Sequence, residues 1–229
     1  MVIPTFEDEE RLALTLSALV PAAAEGVVRE VVVADAGSGD QTRRVADAMG
    51  CVIVEASGPA GAMLSRGAAA VTRGDFILFL RPGVILDPRW DAEASSFMER
   101  AARAGQADRR AAVFRYECDD IGPAAQLRRV AVATAGRLSG LPHPMQPLLI
   151  SRRHYERIGG HRPLDALEDV DLVRRIGRGR IVRLRSAGVV LPKDRPFEPT
   201  GLVPRLRRGL SRGLAALPVP ATLLARLHG

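Results

Sequence analysis

Two adjacent acids, Glu168 and Asp169, open the stretch EDVDLVRRI, which reads as a helix. A carboxylate at a helix start accepts backbone N–H bonds and meets the positive end of the helix dipole, so it stays ionised. Within about 3 Å of a hydroxyl, such a carboxylate can act as a general base. Asp169 suits that role, with Glu168 beside it; the alternative is that both cap the helix, with Asp171 as a surface acid. A second candidate is Asp35, which closes the valine run of REVVVADAG. A strand-end acid can bind ligand, but Asp followed by Ala-Gly-Ser is also good turn chemistry. The third is Arg81, where the apolar run FILFL breaks on Arg81-Pro82-Gly83. A guanidinium can hold a phosphate through two parallel hydrogen bonds, or it can simply face solvent beyond the turn.

These residues need a scaffold, and the first eighty positions supply one. MVIPTF reads as a short strand, and EDEERLALTLSALV as a helix with Leu12, Leu16 and Leu19 on one face and Pro21 as its stop. REVVVADAG is a strand; DQTRRVADAMG is a helix capped by Asp40 and closed by Gly50. CVIVEA, the helical GAMLSRGAAAVTRG and FILFL follow. The order βαβαβαβ predicts an α/β fold with a parallel sheet and right-handed crossovers.

An open parallel sheet binds its ligand outside the carboxyl ends of its strands. Pro4, Thr5, Glu7 and Asp8 gather there after the first strand, and Asp35, Gly37, Ser38 and Asp40 after the second. Arg81 and Gly83 follow the fourth. A dinucleotide fold needs a glycine-rich first turn to admit a pyrophosphate. PTFEDEE is crowded with acids instead, which excludes that class.

Further on, Asp87-Pro88 predicts a cap and first turn for a helix reaching about Ala104. AAVFRYEC reads as a strand, GPAAQLRRVAVATAGRL as an amphipathic helix, PHPMQP as a loop and LLIS as another strand. RRHYERIGG is a short helix, and RIVRLRSAGVVL is one or two edge strands. His143, His154 and His161 lack metal-ligand spacing and read as surface or loop residues.

The net charge of +7 raises the question of nucleic acid. Lys193 is the only lysine, which points to a compositional arginine bias, and 4% aromatics leaves no set of stacking platforms for single strands. Nucleic acid is therefore not the expected partner. Cys51 and Cys118 read as reduced core residues of a cytosolic protein, and no run of residues suits a membrane span.

Taken in order, VIPTFEDEERL, VVVADAGSGDQT, RGAAAVTRGDFILFL and GGHRPLDALEDVDLVRRI resemble the family 2 glycosyltransferases of the GT-A fold, most of all a compact bacterial subgroup. The resemblance covers roughly residues 1–190 and rests on four segments agreeing. It implies a three-layer αβα sandwich with a mostly parallel sheet over residues 1–195, followed by a basic amphipathic tail over 196–229. It also implies a nucleotide-diphosphate sugar donor whose anomeric carbon is attacked, with inversion, by an acceptor hydroxyl.

Carried across by position, Pro4 and Thr5 line the nucleotide and Asp8 is the acid that follows, while Glu7 stands where the family has asparagine. Asp35 contacts the base or ribose, with Ser38 and Asp40 completing its turn. Ser65 replaces another asparagine; Glu168 lies near the acceptor and Asp169 is the base. The family's fourth strand ends in an Asp-x-Asp-like pair that binds magnesium or manganese, and Arg81-Pro82-Gly83 replaces it, so no metal ligand is assigned. Three readings stay open. Arg81 is a fixed cation in place of the metal; the protein binds donor without turnover; or a register shift makes Asp87 a ligand. Accordingly, the alternative to a transferase is a degenerate nucleotide-sugar binder. A sugar nucleotidyltransferase would need a glycine-rich G-x-G-T-R-like start, which PTFEDEE lacks. The tail carries five arginines and no acid after Thr200. It reads either as lying on an anionic membrane at the inner face, near a lipid-linked acceptor, or as a closing helix.

Overall fold

The computed structural model describes residues 1–119 and 122–191, so the tail over 196–229 lies outside the described residues. Three short apolar runs form strands buried on both faces. β1 (Val2–Thr5), β2 (Val32–Asp35) and β4 (Phe76–Phe79) alternate their side chains between two cores. Ile3, Val33 and Leu78 join one core, against Leu12 and Leu16 of α1 (Glu9–Ala24), Ala46 of α2 (Thr42–Ala48), and Trp90 and Phe97 of α4 (Trp90–Arg103). Val2, Val32, Ile77 and Phe79 face the other. There they meet Leu64 and Ala68 of α3 (Ala60–Ala70), Tyr155 of α6 (Arg152–Arg157), and Leu172 and Ile176 of α7 (Glu168–Ile176). The result is the expected three-layer arrangement.

The remaining elements are β3 (Val52–Glu55), β5 (Val84–Leu86), β6 (Ala111–Cys118), α5 (Pro123–Ser139), β7 (Leu148–Ser151) and β8 (Ile181–Val190). The sheet runs β3-β2-β1-β4-β7-β6-β8-β5. β1 pairs in parallel with both β2 and β4, and β2 with β3, which puts their carboxyl ends on one edge. β7 runs antiparallel between β4 and β6, and β5 runs antiparallel to β8; the sheet is mixed but mostly parallel.

Three expectations about elements are corrected. Pro21 does not stop α1, which continues to Ala24. Proline so near the helix end forfeits little of the ladder, and its carbonyl still accepts from Glu25 N–H at 3.0 Å. Asp87 is not a side-chain cap: its carboxylate accepts from the Ala187 N–H at 2.7 Å, and α4 starts later, at Trp90, after a left-handed Arg89. RIVRLRSAGVVL forms one strand, Ile181–Val190, and it is not a bare edge, because β5 pairs with its last three residues, Gly188 to Val190.

Two glycines set the spacing around the strand ends. A Cβ at Gly67 would lie 2.6 Å from Val2 Cγ1, so α3 sits directly on β1. One at Gly61 would lie 1.9 Å from the Arg162 carbonyl oxygen, and the Gly61 N–H donates to Leu164 O at 3.2 Å. The loop leading to α7 is thus held against the start of α3.

Candidate functional site

The turns that follow β1 and β2 are cross-linked into one unit. Glu7 N–H donates to Ser38 Oγ at 2.9 Å, Asp8 N–H to Thr42 Oγ1 at 2.8 Å, and Gln41 N–H to Glu9 Oε2 at 2.9 Å. Glu7 is left-handed, with φ 52°, a conformation in which asparagine is favoured among non-glycine residues. The resemblance puts asparagine at this position, so glutamate there carries some backbone strain. Asp8 closes its own turn by accepting from Phe6 N–H at 2.8 Å and pairs with Arg11. Burial pushes its carboxyl above the usual range, and those two donors oppose the shift.

Asp35 lies at the centre of this unit and is fully buried. Oδ1 accepts from Thr5 Oγ1 at 3.0 Å and Ser38 Oγ at 2.5 Å; Oδ2 accepts from Gly37 N–H at 3.1 Å and Ser38 N–H at 2.9 Å. Burial alone would push its carboxyl up, but these donors, Ser38 first, outweigh it and hold the carboxyl below its ordinary value. Pro4, Thr5 and Asp35 are buried, so in this structure they shape the strand-end surface from beneath. Asp40 accepts from Thr42 N–H at 2.9 Å, as a helix-start acid should. What the unit exposes is Phe6, an aromatic ring 56% accessible directly beyond β1.

The second half of the site brings distant residues together. Arg81, beyond the end of β4, donates Nη2 to Glu168 Oε1 and Nε to the Pro144 carbonyl at 3.3 Å. Glu168 opens α7 after a left-handed Leu167, and Asp169 follows half-buried. Burial pushes the Glu168 carboxyl up while the Arg81 charge pulls it down. Arg81, Glu168 and Asp169 share one cleft with Phe79, His143, Pro144 and His161. Asp171 is not a surface acid. It is buried, and Oδ2 accepts from Arg175 Nε at 2.9 Å and Nη2 at 2.5 Å, fixing α7 to itself.

Two histidines correct the sequence reading as well. His154 is buried beside Arg110 O, and His161 is buried in the wall of the cleft, stacked edge-on to Phe79 with centroids 4.7 Å apart. His161 N–H donates to the Tyr155 hydroxyl at 2.9 Å, and that hydroxyl meets Nδ1 at 3.0 Å. With the hydroxyl donating to Nδ1, the ring proton resides on Nε2. Burial, reinforced by the Arg81 charge, pulls His161 down to about 3, so its imidazole is neutral. Ser65 hydrogen-bonds to the same Tyr155 hydroxyl. Ser65 therefore supports the cleft wall from α3, whereas Pro4, Thr5, Asp8, Asp35 and Ser38 belong to the β1–β2 unit. The signal for His161 was the Gly159-Gly160 pair: a Cβ at Gly160, φ 56°, would lie 2.9 Å from the Tyr155 ring.

Among the described residues, no group of three or more His, Cys, Asp or Glu side chains could hold an ion. Asp87, the remaining acidic candidate, is committed to Ala187 at the sheet edge.

The sequence matches no protein-family model and no curated protein. Solved structures do resemble it. Glucosyl-3-phosphoglycerate synthase from Mycobacterium tuberculosis, in complex with Mn2+, UDP-glucose and phosphoglyceric acid, is 20% identical with a TM-score of 0.59, covering 96% of this chain and 79% of that one. Its UDP complex gives 20% identity and 0.58 over the same shares. A further mycobacterial protein is 21% identical with a TM-score of 0.62, over 96% of this chain and 74% of that one. At such identities the likeness is one of architecture: the chain has the GT-A glycosyltransferase fold.

Proposed function

We propose that the protein transfers a sugar from a nucleotide-diphosphate donor to an acceptor hydroxyl, with inversion. The observation that carries this reading is the convergence of Arg81 and the Glu168-Asp169 pair on one cleft at the strand ends. The solved UDP-glucose complexes on the same fold support the donor class. Asp169 takes the proton of the acceptor hydroxyl as its oxygen attacks the anomeric carbon. The bond from that carbon to the β-phosphate oxygen breaks, and the nucleoside diphosphate leaves with the bonding pair. Arg81 replaces the family's metal as the cation facing the diphosphate, since a guanidinium matches phosphate geometry and its charge is permanent. The nucleoside lies on the β1–β2 unit, which Thr5, Asp8, Asp35 and Ser38 hold in shape, with Phe6 offering a face to the base.

The second reading, a donor-binding protein without turnover, is favoured by one observation: Arg81 is already paired to Glu168. A panel of UDP, GDP, CDP and dTDP sugars separates the two. Release of nucleoside diphosphate from one of them supports the transferase, and tight binding without release supports the binder.

A further inference from the structure

α5 is a helix of 17 residues that the domain hardly covers. Ala125 and Gly136 turn inward, whereas Leu127 is 71%, Val130 55% and Leu138 85% exposed. At about 100° per residue, Leu127, Ala131, Thr134 and Leu138 fall on one stripe, opposite Ala125 and Gly136. Leu127 and Leu138 thus stand directly outward on a single helix, with Val130 at the margin of the stripe. The helix sequence also places Arg128 and Arg137 on either side of that stripe and holds no acid, while Arg129 turns inward, with Nη1 3.4 Å from Cys118 O and Nε 3.6 Å from Glu117 Oε2.

We propose that this face of α5 lies on an anionic lipid surface, in the plane of the interface. Charge selects that occupant. A second copy of α5 across a two-fold axis would set arginine against arginine. The rest of this chain is no better suited, because residues 200–229 hold five arginines and no acid. An anionic bilayer meets both demands, taking the aliphatic stripe into the acyl boundary and the guanidinium groups among the headgroups. The described chain also ends beside this helix. The Val190 carbonyl accepts from Asp119 N–H at 3.1 Å, just before α5 begins. No helix among the described residues is long and apolar enough to cross a membrane, and an interfacial helix does not need to be. At its other end α5 runs into Leu141 and the loop whose Pro142, His143 and Pro144 line the cleft. A lipid-bound α5 therefore brings the cleft to the interface, where a lipid-linked acceptor would be presented.

The test is co-sedimentation of the full chain with vesicles, without donor or acceptor, so its outcome is independent of the transfer reading. Vesicles of equal parts phosphatidylcholine and phosphatidylglycerol should bind the protein, and vesicles of phosphatidylcholine alone should not. Leu127→Ser with Leu138→Ser should lower partitioning about tenfold or more, and Arg137→Gln about fivefold. Unchanged partitioning of both variants overturns the proposal. So does a concentration-dependent dimer that the double serine variant abolishes. A large fall in thermal midpoint for that variant, with vesicle binding intact, would mean the face is covered within the chain, and also overturns it.

Discussion

Arg81 and Glu168, 87 residues apart in sequence, form an ion pair whose side chains are only 17% and 6% exposed. The pair joins the end of the fourth strand to the start of α7. If Arg81 serves the diphosphate, its two members should respond oppositely to mutation. Arg81→Ala should weaken nucleoside diphosphate binding by about 1.5–3 kcal/mol, the scale of a hydrogen bond to a charged group. Glu168→Gln removes a competing anion and should tighten it several-fold, even while it lowers stability by breaking a mostly buried ion pair. Calorimetry on both variants, with thermal melts as the control, reads this directly. Parallel losses of affinity would assign the pair a structural role only.

Asp169→Asn preserves shape and hydrogen-bonding reach while removing the proton acceptor. Transfer should fall by about 100-fold or more, with donor affinity nearly unchanged. A turnover equal to that of the unmodified protein would remove Asp169 from the reaction.

Phe6 and Asp35 should separate binding from architecture. Phe6→Ala should weaken nucleoside and nucleoside diphosphate alike by about 1–3 kcal/mol, the range of a lost base–aromatic stack, with stability unchanged because the ring is exposed. Asp35→Ala strands two hydroxyls and two amides, and should lower stability by about 2–4 kcal/mol as well as nucleotide affinity. If Asp35→Ala melts like the unmodified protein, the cross-linked turns do not depend on its carboxylate.

His161 gives the fold a pH dependence of known sign. Its folded value is about 3 against an ordinary 6.5, so the unfolded chain takes up a proton that the folded protein refuses. Stability from this group is complete above about 6.5 and is lost as pH falls toward 3, by about 1.4 kcal/mol per pH unit in between. His161→Gln should abolish that share of the slope, while His154, shifted in the same direction, contributes to both proteins. Urea melts of the two proteins at pH 6 and at pH 4.5 should diverge (about 1–2 kcal/mol). Identical slopes would place His161 in contact with solvent.

Much of the scaffold was legible because β1 to β4 are uninterrupted apolar runs between turn residues, a pattern that depends on local sequence. The expected positions of Arg81, Glu168 and Asp169 follow from the same logic. Their mutual contact was not legible, since it depends on how the loop before α7 is pressed onto α3 at Gly61. His161 was misread for a related reason. Its burial comes from Phe79 and Tyr155, neither of which lies next to it in sequence. Asp35 reads in the sequence as a ligand-binding acid or a turn former. Its burial was not legible, because the hydroxyls that close over it come from Thr5 and Ser38 on two different turns.

The central claim is that a guanidinium replaces a metal under the leaving diphosphate. It is tested most directly by titrating UDP, GDP, CDP and dTDP, with their nucleosides, into the unmodified protein in chelator and again in manganese. The account predicts that at least one diphosphate binds more tightly than its nucleoside by about 10-fold or more, with the same affinity in both buffers. A diphosphate that binds only when manganese is present, or no preference for diphosphate over nucleoside, would contradict it.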